Sequence, residues 1–271
     1  MLSITTDYVK DTGNPEPYLR RIAEAGFSHL HWCHHWNTDF LYSRPELDQI
    51  ASWLNELGLH ILDIHASHGR EKAWASTREY QRLAGVELVK NRIAMASRFG
   101  SDVIILHLPG WAPETAVDDA LIAPVCRSLD TLTAFAREHG VRIALENMAR
   151  DNFNVMERLF GDYGVDVLGL CYDAGHGNVE GHGLDRLETV KNRLISVHLH
   201  DNDGTGDQHN LIFSGTVDWA RLARIIATSA YDKCVSMEVS IGNSGIEDEA
   251  EFLQRAFETG ARFAEMIAAE R

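Results

Sequence analysis

Ionisable side chains recur at the ends of short apolar runs along this chain. These side chains, at or within two residues of the end of a run, are His65, His107, Glu146, Asp173, His200 and Glu238. A carboxylate or an imidazole at such a position loses hydration on burial, which is costly unless the group has a partner. A divalent cation is the simplest shared partner, because it offsets the repulsion among the carboxylates of Glu146, Asp173 and Glu238. The pattern therefore predicts that these side chains converge on a metal site.

The donor types narrow the choice of metal. Oxygen and imidazole ligands without a thiolate suit Mn, Mg, Co or Zn, whereas a structural zinc site is usually built from cysteines. The four cysteines are widely scattered and include no CxxC pair. We expect them to be reduced, mostly buried thiols in a cytoplasmic protein.

The elements that must position these residues are short β-type runs alternating with longer helical patterns. The runs are rich in Ile, Val, Leu and aromatic residues, and they are too short for ordinary helices. They cover residues 2–6, 27–32, 59–65, 102–107, 141–147, 167–173, 194–200 and 234–240. Eight helical segments complete the pattern, at residues 17–25, 45–57, 77–99, 118–139, 154–163, 184–192, 218–229 and 248–269.

The alternation of runs and helical segments predicts one (β/α)8 barrel over residues 1–271. Glycines at 26, 58, 100 and 140 stand between a helical segment and the next run, where helices commonly end. Parallel strands need helical crossovers, and eight right-handed crossovers close into a barrel. An open doubly wound sheet usually carries a Gly-rich phosphate loop after its first strand, and TTDYVKDTGNPEP has none. In a barrel, the chemistry takes place at the carboxyl ends of the strands.

Charge and hydropathy make several classes of partner unfavourable. The 271 residues include 40 acidic and 25 basic side chains, for a net charge of −15. This charge disfavours nucleic-acid backbones and anionic membrane surfaces. No apolar run approaches the ~18 residues of a membrane span, and MLSITTDYVK lacks the features of a secretion signal. We expect a small-molecule substrate, and a homodimer formed through the barrel exterior.

Four motifs on the fifth to eighth strands carry a family resemblance. ALEN, CYDAGH, VHLHDNDGTGDQH and SMEVS, in this order, resemble the xylose isomerase-like TIM-barrel family. That family contains sugar isomerases and epimerases, inosose dehydratases, hydroxypyruvate isomerases and endonuclease IV-type nucleases. The resemblance covers essentially the whole barrel. It implies one divalent metal held by Glu146, Asp173, His200 and Glu238.

The choice of His200 depends on strand geometry. His198 and His200 both point inward by strand alternation, and His200 lies nearer the end of its strand. The resemblance also implies that His176, in the DxxH of CYDAGH, binds a substrate oxygen. A wall of Trp32, Trp36 and Trp111 is expected to pack against a sugar ring.

The chemistry that the resemblance implies is proton transfer through a metal-stabilised enediolate. Glu146 and Glu238 act as acid and base on opposite sides of the substrate. Return of the proton to the neighbouring carbon gives isomerisation, and return to the opposite face gives epimerisation. The implied substrate is a sugar, a sugar phosphate or a related polyol-carbonyl compound.

The same sequence resembles the trinuclear zinc pattern of the endonuclease IV-type enzymes. The matching additional ligands are His65, His107, His176, Asp207 and His209. A cluster of three metals suits phosphoester hydrolysis, because it clamps the attacking and leaving oxygens. We therefore expect one divalent ion, with up to three as the alternative. The acidic net charge and the mixed loops favour the isomerase or epimerase. A non-catalytic sugar-binding module would not need the paired glutamates.

The chain departs from the family pattern in two places. Ketose 3-epimerases of this type tend to carry an Arg several residues after the seventh-strand His, whereas HDNDGTG contains none. The glycine-rich run after DxH appears as NLIFSGTVDW, with one glycine missing. The first departure weakens an assignment to ketose 3-epimerisation.

Overall fold

A barrel of eight parallel strands forms the centre of the computed structural model, which describes residues 1–9, 13–109, 119–150 and 152–271. The strands neighbour one another in the order β7-β6-β5-β4-β3-β2-β1-β8. Each lies inside the run predicted for it. They are β1 (Leu2–Thr5), β2 (His29–Trp32), β3 (His60–His65), β4 (Val103–His107), β5 (Arg142–Glu146), β6 (Leu168–Asp173), β7 (Leu194–His198) and β8 (Val235–Met237).

The two edge strands meet through a short parallel bridge. Leu199, just after β7, pairs with Met237 of β8. The Leu199 N–H donates to the Ser236 carbonyl at 3.0 Å, and the Glu238 N–H donates to the Leu199 carbonyl at 3.2 Å. The sheet is thus a nearly closed barrel, and the predicted (β/α)8 fold is confirmed.

Nine α-helices occur within the described ranges, one more than predicted. The additional helix is α6, which begins directly after β6 because the Asp173 carboxylate accepts a hydrogen bond from the His176 N–H at 2.6 Å. The helices are α1 (Glu16–Glu24), α2 (Arg44–Leu57), α3 (Glu79–Arg98), α4 (Asp119–Glu138), α5 (Phe153–Asp162), α6 (Ala174–Glu180), α7 (Gly183–Val190), α8 (Trp219–Ala227) and α9 (Glu249–Ala269).

The predicted helix-ending glycines are confirmed. Gly26, Gly58, Gly100 and Gly140 all have positive φ, between 66° and 96°. In the part of the chain described here, no helix combines the length and the apolar character that a membrane crossing requires.

The strands of the barrel bury both apolar and polar side chains. Val103, Ile105, Ala144, Cys171 and Ile195 pack in a small cluster separate from the main hydrophobic core. Polar side chains that are buried on the described strands include Ser3, Asp63, Ser196 and Ser236. Barrel interiors are usually filled by branched apolar residues, so these buried polar groups call for an explanation.

Strand register brings ionisable residues to one level near the carboxyl ends. His107 pairs with Glu146 across β4 and β5, and Asp173 pairs with His198 across β6 and β7. Because paired residues on neighbouring strands face the same side of the sheet, these side chains meet inside the barrel.

Candidate metal centre

All nine ionisable side chains predicted as ligands of a metal or of the substrate lie together at the barrel mouth. Their polar atoms, with one backbone carbonyl, form a continuous set of contacts of 3.5 Å or less. The nine are His65, His107, Glu146, Asp173, His176, His200, Asp207, His209 and Glu238. Within this set, three smaller groups of donor atoms can be distinguished.

The first group consists of His65, His107 and Glu146. The Nε2 atoms of the two imidazoles are 3.1 Å apart, and His107 Nε2 lies 3.1 Å from Glu146 Oε2. His65 Nε2 is 3.8 Å from the same oxygen. Two imidazole nitrogens and one carboxylate oxygen thus face a common point.

The second group consists of Glu146, Asp173, His198 and Glu238, whose donor atoms all lie within 4.8 Å of one another. His198 Nδ1 is 3.2 Å from Glu146 Oε2 and 2.9 Å from Glu238 Oε2. Within the described ranges, neither ring nitrogen of His198 makes a hydrogen bond of ordinary geometry. Short distances without hydrogen-bond direction are expected where donor atoms surround a cation.

The third group surrounds Asp207. Its carboxylate is 3.1 Å from His176 Nε2, 3.2 Å from His209 Nε2 and 3.5 Å from His200 Nε2. His200 Nε2 also lies 3.0 Å from Asp173 Oδ1, so this imidazole bridges the second and third groups. Of the two histidines on the seventh strand, His198 stands among the glutamates, and the choice of His200 as the metal ligand stays a prediction.

Three of these histidines have a tautomer suited to metal binding. The Nδ1–H groups of His65, His176 and His209 donate to the carbonyls of Ala66, Asn147 and Glu238, at 3.1, 2.8 and 2.7 Å respectively. Each bond leaves Nε2 as the ring nitrogen that faces the cluster, which is the arrangement of metal-ligating histidines. Together with the carboxylates, this donor set fits a divalent cation.

The charges at the site favour ionised carboxylates. Burial alone would raise the pKa of Glu146, yet the adjacent His198 and His107 outweigh it and hold that pKa well below its usual value. The pKa of Glu238 is likewise lowered against the effect of burial, chiefly by His198. Burial and the neighbouring His107 lower the pKa of His65 to about 3, so this imidazole is neutral.

Two asparagine side chains hold the segments after β5 and β6 in place through hydrogen bonds to the backbone. The Asn147 amide donates to the Asp173 carbonyl at 3.0 Å and accepts from the Asp173 N–H at 2.7 Å. The Asn152 amide donates to the Glu146 carbonyl at 3.0 Å. These bonds explain why Asn follows Glu in ALEN: its side chain ties two strand ends together and sets the height of both carboxylates.

Hydrogen bonds to the buried Asp201 carboxylate hold the loop that carries Asp207 and His209. Asp201 is fully buried and accepts hydrogen bonds from the Val217 N–H at 3.1 Å and the Trp219 indole N–H at 2.8 Å. His209 itself has a φ of 49°, a conformation that non-glycine residues adopt at some cost. A strained backbone at a side chain that faces Asp207 is typical of functional sites.

The predicted tryptophan wall is formed in part. The Trp36 ring lies 4.5 Å from the His65 ring and 5.4 Å from the His107 ring, beside the first group. Trp32 is fully buried and donates its indole N–H to the Tyr42 hydroxyl at 3.0 Å, so it packs in the core instead. Trp111 lies outside the described residues.

Sequence reasoning missed three ionisable residues near Glu238. Burial and the charge of Glu238 raise the pKa of Asp7, which follows β1. On β2 and β3, His31 and Asp63 are buried and hydrogen-bonded to each other at 2.6 Å. The signal was present in the sequence, since His31 occupies an alternate, inward position of an apolar strand and Asp63 stands two residues before His65.

Comparisons with known proteins agree with this architecture. A family model described as xylose isomerase-like TIM barrel matches residues 19–256. The uncharacterized protein y4fM of Sinorhizobium fredii is 31% identical over 93% of this chain and 89% of its own length. A protein of Thermoplasma acidophilum described as probable endonuclease 4 is 27% identical over 78% of this chain and 80% of its own length.

Solved structures share the fold at low identity. A D-tagatose 3-epimerase-like protein superposes with a TM-score of 0.78 at 21% identity, covering 99% of this chain and 98% of that one. A zinc-bound IOLI protein superposes with a TM-score of 0.79 at 16% identity, covering 100% and 99%. At these identities the likeness establishes the fold.

Proposed function

Because this chain belongs to the xylose isomerase-like TIM-barrel family, we propose that it is a divalent-metal-dependent isomerase or epimerase of a sugar or a related polyol-carbonyl compound. The observation that carries the proposal is that Glu146 Oε2 and Glu238 Oε2 both lie close to His198 Nδ1, at 3.2 and 2.9 Å. Two ionised carboxylates that meet at one imidazole are suited to removing a proton from carbon and returning it. The structural likeness to a D-tagatose 3-epimerase-like protein supports a sugar as substrate.

Glu146, Asp173 and Glu238, with His198 or His200, would hold the cation. When bound, a divalent cation would polarise the substrate carbonyl and acidify the neighbouring C–H group. Glu146 and Glu238 would act as base and acid: one removes the proton from the substrate carbon. The other returns a proton to the adjacent carbon or to the opposite face of the same carbon. The His176 Nε2 faces Asp207, where it would bind a substrate hydroxyl, and Trp36 would exclude water from one side.

The test is proton exchange in deuterated water. The protein purified with Mn²⁺, Mg²⁺, Co²⁺ or Zn²⁺ would be incubated with a panel of aldoses, ketoses and their phosphates and followed by NMR. We expect deuterium at a carbon next to the carbonyl together with a changed sugar. Absence of exchange with every sugar and every metal would overturn the proposal.

A phosphoester hydrolase with three zinc ions is the second candidate, and the first and third donor groups favour it. These groups add His65, His107, His209 and Asp207 to the carboxylate site. The similarity to a protein described as probable endonuclease 4 points in the same direction. Elemental analysis separates the candidates: about one equivalent of Mn or Mg supports the isomerase, and three of Zn support the hydrolase. Cleavage of bis(p-nitrophenyl) phosphate is the matching activity assay.

We also propose that the protein works in the cytoplasm. All four cysteines are free, with Cys33 and Cys171 buried and the other two partly buried. Free thiols are usual in a reducing compartment.

A further inference from the structure

A chain of buried polar groups runs beneath the candidate metal centre. The Ser196 hydroxyl donates to Asp63 Oδ2, and the His31 Nδ1–H donates to Asp63 Oδ1 at 2.6 Å. All three side chains are 1% exposed or less. The carboxylate is thereby held on one side by a hydroxyl and on the other by an imidazole, and the orientation of the His31 ring is set.

The other nitrogen of His31 points toward the glutamate of the eighth strand. His31 Nε2 lies 3.7 Å from Glu238 Oε1, and it is buried without a hydrogen-bond partner among the residues that the structure describes. The ring of His198 lies 4.2 Å from that of His31. The donor atoms of His31, His198 and Glu238 all fall within 4.8 Å of one another.

A buried nitrogen without a partner is costly, and a ligand-binding role would account for it. Histidines that bind metals usually donate the opposite N–H to a carboxylate, which is the arrangement of His31 on Asp63. Two ligands that are each about 2.1 Å from a tetrahedral ion lie about 3.4 Å apart. His31 Nε2 lies 3.7 Å from Glu238 Oε1, and His198 Nδ1 lies 2.9 Å from Glu238 Oε2, so the two imidazoles face different oxygens of one carboxylate at distances on either side of that value.

We propose that His31, His198 and Glu238 hold a divalent cation in a deep position of the barrel, with Asp63 orienting His31. The proposal rests on the metal dependence of the proposed function and adds an imidazole to its ligand set. Two imidazoles and one carboxylate suit Zn, Co, Fe(II) or Mn. The rival role of His31 is that of a charged partner neutralising Asp63 and Glu238. That role predicts the opposite result, because removing a positive charge would leave cation affinity unchanged or raise it.

The experiment measures Co²⁺ binding to metal-free protein by calorimetry, with the number of coordinating imidazoles taken from X-ray absorption. We expect His31→Ala to weaken Co²⁺ binding at least about tenfold and to remove one imidazole. Asp63→Asn should weaken binding by about 10–100-fold, the usual effect of losing the carboxylate behind a ligating histidine. His29→Ala is the matched control, because His29 lies on the same strand and its Nδ1 is hydrogen-bonded to the Ser28 hydroxyl at 2.9 Å rather than to a residue of the site.

Circular dichroism of each metal-free variant would establish that the barrel is folded. A folded His31→Ala variant with unchanged or tighter Co²⁺ binding would overturn the proposal. If His31→Ala does not fold, Asp63→Asn decides, and wild-type affinity in that variant also overturns it. Loss of Co²⁺ in Asp173→Asn but not in His31→Ala would leave the proposed function intact. A wild-type protein that binds no Co²⁺ would end both proposals.

Discussion

Glu146 contacts histidines from four different segments of the chain. His65 and His107 approach it from β3 and β4, His198 from β7 and His176 from α6, at distances of 3.1 to 3.8 Å. Because one carboxylate belongs to two of the donor groups, we expect its loss to affect both of the proposed roles, the binding of a cation and the transfer of a proton.

We expect Glu146→Gln to lower kcat by at least about 100-fold while the barrel stays folded, because the amide keeps the shape but cannot accept the proton. The measurement is deuterium exchange on the best substrate together with a thermal melt. The exposed Glu247 is the control, and Glu247→Gln should retain wild-type activity. Wild-type exchange by Glu146→Gln would remove Glu146 from catalysis.

The role of His209 distinguishes the two candidate functions. We expect His209→Asn to lower the activity of a mononuclear isomerase less than about tenfold, whereas a trinuclear hydrolase would lose most of its activity with one ligand of its third metal. Asn is chosen because it tolerates the positive φ of 49° at this position. His60→Asn, at the exposed start of β3, is the control, and zinc content is measured alongside both variants.

At the scale of elements, the turn from β6 into α6 brings backbone against the imidazole of His200. A Cβ on Gly175 would overlap the His200 ring. The glycine in CYDAGH is therefore required by the close approach of α6 to the His200 ring.

Gly175→Ala should push the His200 ring away from Asp173 and weaken Co²⁺ binding at least about tenfold. The matched control is Gly161→Ala on α5, where an added Cβ meets no atom within 4 Å. Calorimetry on both variants checks the prediction. Wild-type affinity in a folded Gly175→Ala protein would show that His200 contributes little to the site.

The far end of the barrel carries an ion pair that makes stability depend on pH. Asp102, just before β4, contacts Lys233 and bonds to Arg142 Nη2 at 2.8 Å. Partial burial raises the pKa of Asp102, but Lys233 and Arg142 outweigh it, so the net pKa is lowered.

A lowered pKa in the folded state stabilises the fold above the unfolded pKa of about 3.9, and this contribution is lost as the pH falls through the folded value. Asp102→Asn should therefore lower the free energy of unfolding at pH 7. We expect about 0.5–1 kcal/mol, because the half-exposed pair is screened by solvent. Urea denaturation at pH 7 and pH 3 should show a smaller difference at pH 3. The exposed Asp232→Asn is the control, and an equal difference at both pH values would contradict the assignment.

At the scale of the whole molecule, the barrel brings carboxylates together in a chain that already has a net charge of −15. A cation bound at the mouth would relieve part of this repulsion only in the folded state, because the proposed ligands come from strands that are far apart in the sequence. Metal binding and folding should therefore be coupled. The homodimer remains a prediction.

Addition of Mn²⁺ or Zn²⁺ at 100 times its Kd should stabilise the metal-free protein by about 2.7 kcal/mol. For a chain of this size, that corresponds to a rise in Tm of about 5–10 °C. Differential scanning calorimetry with and without a chelator measures the shift. The Glu146→Gln variant should show a smaller one, and an equal shift in both proteins would place the ion elsewhere.

The sequence by itself determined the fold and predicted most of the residues that meet at the candidate site. The spacing of apolar residues, the glycines that end helices and the alternation of strands with helices can all be read from short stretches of sequence. All eight strands could therefore be placed within two or three residues at each end. Residues such as Glu146 and Asp173 were identifiable because an ionisable side chain at the end of a buried strand is costly without a partner.

Only the tertiary structure decided how those residues are grouped. Whether His198 or His200 contacts Glu146 and Glu238 depends on how the seventh strand ends and on the packing of α6. Neither feature can be read from a local sequence pattern. The Asp63–His31 pair depends on the register between β2 and β3, which shifts at Leu30. Register and ring orientation result from packing between segments distant in the chain. For that reason the sequence could predict the donor types but not which donor atoms face the same point.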